Sequence, residues 1–146
     1  MKLLFLDIDG VLNRGFSLAG DIVGRAVLPE KIHLINTVLQ RTGAKVVVIS
    51  TWKDQYGFKP VRDFLYGNGL LSDSIVGCSP VNVEKEKGII MFLSVYKHPV
   101  EKFVVVDDQL RSMDLRIASH IVNPITFNGL SEVDATNIIN ALLNEK

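Results

Sequence analysis

The chain has 146 residues, of which 47% are apolar and 22% are charged, so it has the length and composition of one globular domain over residues 1–146 and not of a disordered protein. Lysine plus arginine and aspartate plus glutamate both number 16, and this balance excludes a strong overall basic field of the kind that attracts nucleic acid. The single cysteine, Cys78, excludes an internal disulfide, and no apolar run approaches the length of a membrane span, so we expect a cytoplasmic protein without a membrane partner.

The first predicted element is a buried strand over residues 2–7 that leads into two carboxylates separated by one residue. Asp7 and Asp9 end this apolar run, and Gly10 follows with the backbone freedom that a turn requires. Since residues i and i+2 lie on one face of a strand, both carboxylates can converge on one point. Such a pair suits a nucleophile, a general acid/base or a hard metal ion such as Mg²⁺, although Asp and Gly are also ordinary turn residues.

The rest of the chain alternates between helix-like and strand-like segments. After a polar stretch over residues 13–28, Pro29 suits the first turn of a helix and Gly43 its end. Ser131 and Asp134 form a capping box for the last helix. Further strands are predicted at about 45–50, 74–77, 102–107 and 119–122, and further helices at about 59–67, 84–97 and 132–144, with one short helix before the last strand. This alternation predicts an α/β fold, a three-layer α/β/α Rossmann-like sandwich with a five-stranded parallel sheet.

Two more carboxylates, Asp107 and Asp108, follow the predicted fourth strand. Ligands of open α/β sheets bind beyond the carboxyl ends of the strands, so these residues should meet Asp7 and Asp9 there. Four carboxylates at one point repel each other unless a cation neutralises them, and oxygen ligands favour Mg²⁺. We therefore expect a metal site formed by Asp7, Asp9, Asp107 and Asp108.

Polar residues after the predicted second strand should reach the same edge of the sheet. Ser50 and Thr51 offer hydroxyl groups, and Trp52 and Lys53 follow them directly. Lys53 can attract a phosphate group, and Trp52 can frame a substrate. Packing at the sheet edge is an equally good interpretation of Trp52.

A lysine at the start of a helix can brace both a nucleophilic carboxylate and a phosphate oxygen. Lys85 and Lys87, at the start of the predicted helix 84–97, are the candidates. Two residues of a helix at this spacing lie about 160° apart around the axis, so we expect only one of them to face the site. Each is also compatible with a solvated surface position, since the run 84–87 is charged throughout.

The order of these residues along the chain resembles that of the haloacid dehalogenase (HAD) superfamily, and of its phosphatases in particular. The order is Asp-x-Asp-Gly-Val, a strand with Ser/Thr, a lysine, and a strand with Asp-Asp. Within the superfamily, the chain is most similar to the small HAD domains of Swiss-army-knife RNA repair proteins. The segments that support this resemblance are Ile-Ser-Thr-Trp-Lys at 49–53, Val-Val-Asp-Asp at 105–108 and Asn-Gly-Leu-Ser at 128–131.

The resemblance implies a role for each carboxylate. Asp7 would be the nucleophile that attacks phosphorus and forms an aspartyl-phosphate. Asp9 would protonate the leaving oxygen and then deprotonate the attacking water. Asp108 would bind Mg²⁺ together with Asp7 and the backbone carbonyl of Asp9, and Asp107 would assist as a further carboxylate.

The resemblance also implies how the phosphoryl group is bound. Ser50 would donate a hydrogen bond to a phosphoryl oxygen, with Thr51 as the neighbouring alternative and backbone N–H groups of the turn at Gly10 as further donors. Many HAD chains have apolar residues four and seven positions after the lysine. Lys85 matches this spacing and Lys87 does not, so Lys85 is the preferred candidate.

Only the segment 14–28 is available for an insertion after the first motif, so we expect a minimal cap domain or none. An open site suits a bulky substrate, and the resemblance favours a nucleotide or the phosphorylated end of a nucleic acid. The predicted function is therefore that of a hydrolase, a Mg²⁺-dependent phosphomonoesterase. The alternatives are a catalytically silent module that binds phosphorylated ends and a receiver-like phosphoacceptor domain. A receiver has its adjacent acidic pair after the first strand, whereas here that pair comes late.

Overall fold

Five parallel strands form one sheet in the part of the chain that the computed structural model describes, namely residues 1–13, 27–112, 114–125 and 128–144. The strands are β1 (Lys2–Leu6), β2 (Lys45–Val48), β3 (Ile75–Cys78), β4 (Lys102–Val106) and β5 (Ile121–Val122). They lie in the order β3-β2-β1-β4-β5, and each neighbouring pair is parallel. The predicted α/β class with a five-stranded parallel sheet is confirmed. The prediction of a minimal cap or none rests on the segment 14–28. Residues 14–26 of that segment lie outside the described part of the chain.

Helices cover both faces of this sheet. They are α1 (Pro29–Thr42), α2 (Trp52–Tyr56), α3 (Phe58–Gly67), α4 (Lys85–Val95), α5 (Leu115–Ala118) and α6 (Glu132–Leu143). The predicted ends of α1 are confirmed, since Pro29 lies in its first turn and Gly43 ends it with a φ of +73°. The predicted capping box of Ser131 and Asp134 is also present. Within the described part of the chain, none of the helices combines the length and the apolar composition of a membrane span.

The core lies on both sides of the central strand β1. Leu4 and Leu6 belong to an apolar cluster with residues of α1, α3 and α6. Leu3 and Phe5 belong to a second cluster with residues of α4 and α5. Since consecutive side chains of a strand point to opposite faces, a strand covered on both faces requires an uninterrupted apolar run. This requirement explains the run of apolar residues that precedes Asp7.

The three central strands end at the same level, and this register positions the candidate site. Leu6 pairs with Val48 on one side and with Val106 on the other. The N–H of Asp7 continues the ladder by donating to the carbonyl of Val106 at 3.0 Å. The segments that come after β1, β2 and β4 therefore leave the sheet side by side.

The predicted carboxyl ends of these strands were wrong by one or two residues. The strands end at Leu6, Val48 and Val106, so Asp7, Ser50 and Asp107 lie in the loops beyond them. The apolar runs do not reveal this, and shortly after β2 and β4 side-chain oxygens accept backbone N–H groups. The Oγ of Ser50 accepts from the N–H of Trp52, and Oδ1 of Asp107 accepts from that of Gln109.

The short helix α2, directly after β2, was not predicted. Five residues are too few to show a helical period of apolar residues. Gly57, with a φ of +87°, separates α2 from α3. Because consecutive residues of a helix point about 100° apart, α2 sends the side chains of Trp52 and Lys53 in different directions.

Candidate active site

Three carboxylates meet where β1 and β4 end. Oxygen atoms of Asp7, Asp107 and Asp108 all lie within 4.8 Å of one another. Asp7 and Asp107 are buried, with exposed fractions of 4% and 1%, whereas Asp108 is half-buried. Like charges this close repel each other strongly in a buried site, so the cluster favours a bound cation or a bound proton. These residues are three of the four carboxylates for which the sequence predicts a metal site.

The ammonium group of Lys85, the first residue of α4, lies within this cluster. Its Nζ is 2.6 Å from Oδ2 of Asp107 and 3.3 Å from Oδ1 of Asp7. Lys87, the other candidate, is exposed. Three ionised carboxylates and one ammonium leave a net charge of −2, which a divalent cation would balance.

Burial and repulsion both favour the protonated form of Asp7. Loss of solvent contributes most and the charge of Asp107 contributes next, and together they raise the pKa of Asp7 from 3.8 to about 7 against the opposing effect of Lys85. Burial, followed by the charge of Asp107, also raises the pKa of Asp108. A carboxylate must be ionised to act as a nucleophile, so a cation beside Asp7 would increase its reactive fraction at neutral pH.

Asp107 is anchored by donors to both of its carboxylate oxygens. Oδ1 accepts the N–H groups of Gln109 and Leu110, both at 2.9 Å, and Oδ2 accepts from Lys85. Asn123, which comes directly after β5, donates its Nδ2 to the backbone carbonyl of Asp107 at 2.6 Å. These contacts fix the position of Asp107 beside Lys85. Asn123 was not predicted, because no local pattern indicates a contact between the ends of two different strands.

The side chain of Asp9 lies outside the group of three carboxylates and has partners of its own. The indole Nε1 of Trp52 donates to Oδ2 of Asp9 at 2.9 Å, and Nδ2 of Asn13 donates to Oδ1 at 3.0 Å. The Oδ1 of Asn13 in turn accepts the N–H of Gly10 at 2.9 Å. Asp9 therefore has neutral donors on both oxygens, and the N–H of Gly10 is engaged within the turn. Asn13 was not among the predicted site residues.

The other predicted residues lie just after β2, the neighbour of β1. Ser50 is buried and Thr51 is exposed. Lys53 is 3% exposed and pairs with Asp54 at 3.3 Å. Asp54 also accepts the backbone N–H of Asn82 at 2.7 Å. This contact joins α2 to the loop that leads into α4, the helix that begins with Lys85.

Gly10 approaches the carboxylate cluster more closely than any other residue type could. Its φ is +81°, and a Cβ built on it would overlap the carboxylate of Asp108. We expect Gly10→Ala to displace Asp108 and to weaken Mg²⁺ binding about 10-fold or more, as measured by titration calorimetry. Gly43→Ala is the matched control, because Gly43 has a φ of +73° but no atom within 4 Å of the added Cβ. Equal Mg²⁺ affinity in both variants would contradict this expectation.

Comparison with known proteins assigns a family to this arrangement. The model of the family described as "HAD domain in Swiss Army Knife RNA repair proteins" matches residues 3–135, a range that includes the carboxylate cluster and all five strands apart from Lys2. The chain belongs to this HAD family. The resemblance drawn from the order of the motifs is therefore confirmed. No curated protein matches the sequence of this HAD domain.

The donor set of this HAD domain suits the metal that HAD proteins generally use, which is Mg²⁺. All three grouped side chains offer carboxylate oxygen, the ligand type that Mg²⁺ prefers. The net charge of −2 and the raised pKa of Asp7 are both relieved by a divalent cation. Asp7, Asp107 and Asp108 are thus compatible with a metal site.

Proposed function

We propose that this HAD domain is a Mg²⁺-dependent phosphomonoesterase that acts through an aspartyl-phosphate on Asp7. The observation that carries the proposal is the contact of Asp7 with Lys85 inside a carboxylate cluster at the carboxyl edge of the sheet. Every residue type that the reaction requires is present at this edge. Asp7 supplies the nucleophile, Asp9 a second carboxyl and Lys85 a cation for the phosphoryl oxygens.

The first half-reaction transfers the phosphoryl group to the protein. An ionised oxygen of Asp7 forms a bond to phosphorus while the bond from phosphorus to the ester oxygen breaks. Asp9 gives its proton to that departing oxygen, so the leaving group departs as an alcohol. Lys85 holds a phosphoryl oxygen and Ser50 donates its hydroxyl to another. Mg²⁺, held by Asp7, Asp107 and Asp108, would neutralise negative charge on the phosphoryl group.

The second half-reaction restores the protein. Asp9, now ionised, takes a proton from a water molecule, and the resulting oxygen attacks phosphorus. The bond between phosphorus and Asp7 breaks, which releases inorganic phosphate and regenerates the carboxylate. Asp9 ends the cycle protonated, as it began.

We propose nucleotides or the phosphorylated ends of nucleic acids as substrates. The name of the family refers to RNA repair proteins, and the short segment 14–28 leaves little chain for a cap over the site. The test is phosphate release from a generic aryl phosphate, sugar phosphates, nucleotides, and oligonucleotides with 3′ or 5′ phosphates, with Mg²⁺ and with chelator. Metal-dependent release that is greatest on nucleotides or oligonucleotides would support the proposal. Far faster turnover of a small sugar phosphate would overturn the substrate class, and binding of phosphorylated ends without turnover would favour the silent module.

We expect Mg²⁺ to raise the melting temperature more at about pH 8 than at about pH 6, because Mg²⁺ binds the ionised carboxylate and the pKa of Asp7 is about 7. A tenfold weaker affinity at the lower pH would reduce the stabilisation by about 1.4 kcal/mol, or about 3–5 °C. Thermal melts at matched ionic strength measure this difference. In Asp7→Asn, which has no carboxyl to titrate there, the difference should shrink. An equal shift at both pH values in the unmodified protein would count against the site.

A further inference from the structure

The hydrogen bond between Trp52 and Asp9 joins the two segments that flank the candidate site. It links residues 43 positions apart in the chain, with a length of 2.9 Å. Trp52 lies at the start of α2, and Asp9 lies in the turn after β1. The side chain of Asp9 is outside the group of carboxylates suited to a metal, so this contact does not serve that group directly.

Packing alone does not explain a tryptophan at position 52. The ring is 7% exposed and packs against Tyr56 and Phe64, with ring centroids 6.3 and 5.6 Å away. Another large aromatic side chain could make both contacts. Phenylalanine at this position could not donate to Oδ2 of Asp9 as the indole N–H does, and the indole N–H cannot accept or exchange the proton of a carboxyl group in the reaction.

Asp9 is held from two directions, by Trp52 and by Asn13. Two donors on different oxygens fix both the position and the rotation of a carboxyl group. Each carboxyl oxygen still has a second lone pair, so a proton can be carried while both hydrogen bonds persist. The arrangement therefore suits a carboxyl that must present its proton in one fixed direction.

We propose that Trp52 is a positioning residue that aims Asp9 at the leaving oxygen of the substrate and thereby enables hydrolysis of alkyl phosphate esters, with little effect on the first step of aryl esters. This inference rests on the proposed phosphatase function. An alkyl alcohol, such as a ribose hydroxyl, is a poor leaving group unless it is protonated as its bond to phosphorus breaks. A nitrophenolate is a weak base and departs without that proton. Misplacing Asp9 should therefore slow the first half-reaction selectively for alkyl esters, whereas its effect on hydrolysis of the aspartyl-phosphate is the same for both esters.

The kinetic test compares a nucleoside monophosphate with p-nitrophenyl phosphate in Trp52→Phe. We expect the ratio of kcat/KM for the alkyl ester to kcat/KM for the aryl ester to fall about 10-fold or more, since kcat/KM reports the transfer to Asp7 alone and positioned general acids contribute about 10²–10⁴ in rate. Phe64→Leu is the control, because it disturbs the packing of Trp52 but not its hydrogen bond, and it should leave the ratio unchanged.

In an Asp9→Asn background, Trp52→Phe should have little further effect, because the two residues act as a unit. Equal losses of kcat/KM on both esters, or independent effects of the two substitutions, would overturn the inference.

A second measurement does not depend on turnover. Trp52 is the only tryptophan of the chain, so the intrinsic fluorescence of the protein reports on this one indole. We expect Asp9→Ala to shift the emission maximum of Trp52, and Asp63→Asn on α3 to leave it unchanged. An unchanged spectrum in Asp9→Ala would show that the contact does not exist in solution and would overturn the inference. If the spectrum shifts but the unmodified protein hydrolyses neither ester, the phosphatase proposal has failed while the contact itself stands.

Discussion

Asp7→Asn should abolish phosphate release, with a fall in kcat of about 10³-fold or more. The amide is nearly isosteric with the carboxyl but cannot form the bond to phosphorus that the reaction requires. Release of phosphate in the presence of Mg²⁺ is the measurement. Asp63→Asn is the matched control, because it makes the same chemical change at an exposed carboxylate whose ion-pair partner is its neighbour Arg62. Activity above about a tenth of the unmodified level would contradict the nucleophilic role of Asp7.

The same substitution should stabilise the protein in the absence of Mg²⁺, by about 1–2 kcal/mol at about pH 8. The pKa of Asp7 is raised from 3.8 to about 7 by folding, so the folded state must keep a repelled buried charge as the pH rises through that range. The contribution of Asp7 to stability is therefore fully present below about pH 4 and is lost as the pH rises through about 7. Asn carries no such charge, so the gain in melting temperature should be largest above pH 7 and vanish near pH 4. A gain that does not depend on pH would contradict this origin.

The fold and the carboxylate cluster were predictable because both depend on short patterns. Uninterrupted apolar runs indicate strands that are covered on both faces, and parallel strands bring the residues at their carboxyl ends to one edge of the sheet. These two facts are enough to bring Asp7 near Asp107 and Asp108 without knowledge of the strand order. The lysine required one further step, namely the spacing of apolar residues after Lys85, which matches a pattern seen in many HAD chains.

The contacts that orient the site were not predictable in the same way. The hydrogen bond from Trp52 to Asp9 depends on α2, a helix too short to show a period, and on the exact rotation that α2 gives to its first residue. Asn13 bonds to Asp9 and Gly10 within the turn after β1, and Asn123 donates to the carbonyl of Asp107 in a segment that only the fold brings near. The local sequence pattern indicates which residues reach an edge of the sheet, but tertiary contacts set the direction in which each side chain points.

Lys85→Met and Lys87→Met form a matched pair that tests the geometry of the cluster, because both remove an ammonium from the same helix. Lys85 contacts Asp7 and Asp107, whereas Lys87 is exposed. We expect Lys85→Met to lower kcat by about 10²–10³-fold, the usual effect of removing one donor that stabilises charge in the transition state. It should also make the fold more dependent on Mg²⁺, because three carboxylates then lack their cation, and the rise in melting temperature on adding Mg²⁺ should exceed that of the unmodified protein. Lys87→Met should change neither quantity. The reverse ranking of the two variants, or equal effects, would mean that Lys85 balances the charge of Asp107 without a part in the reaction.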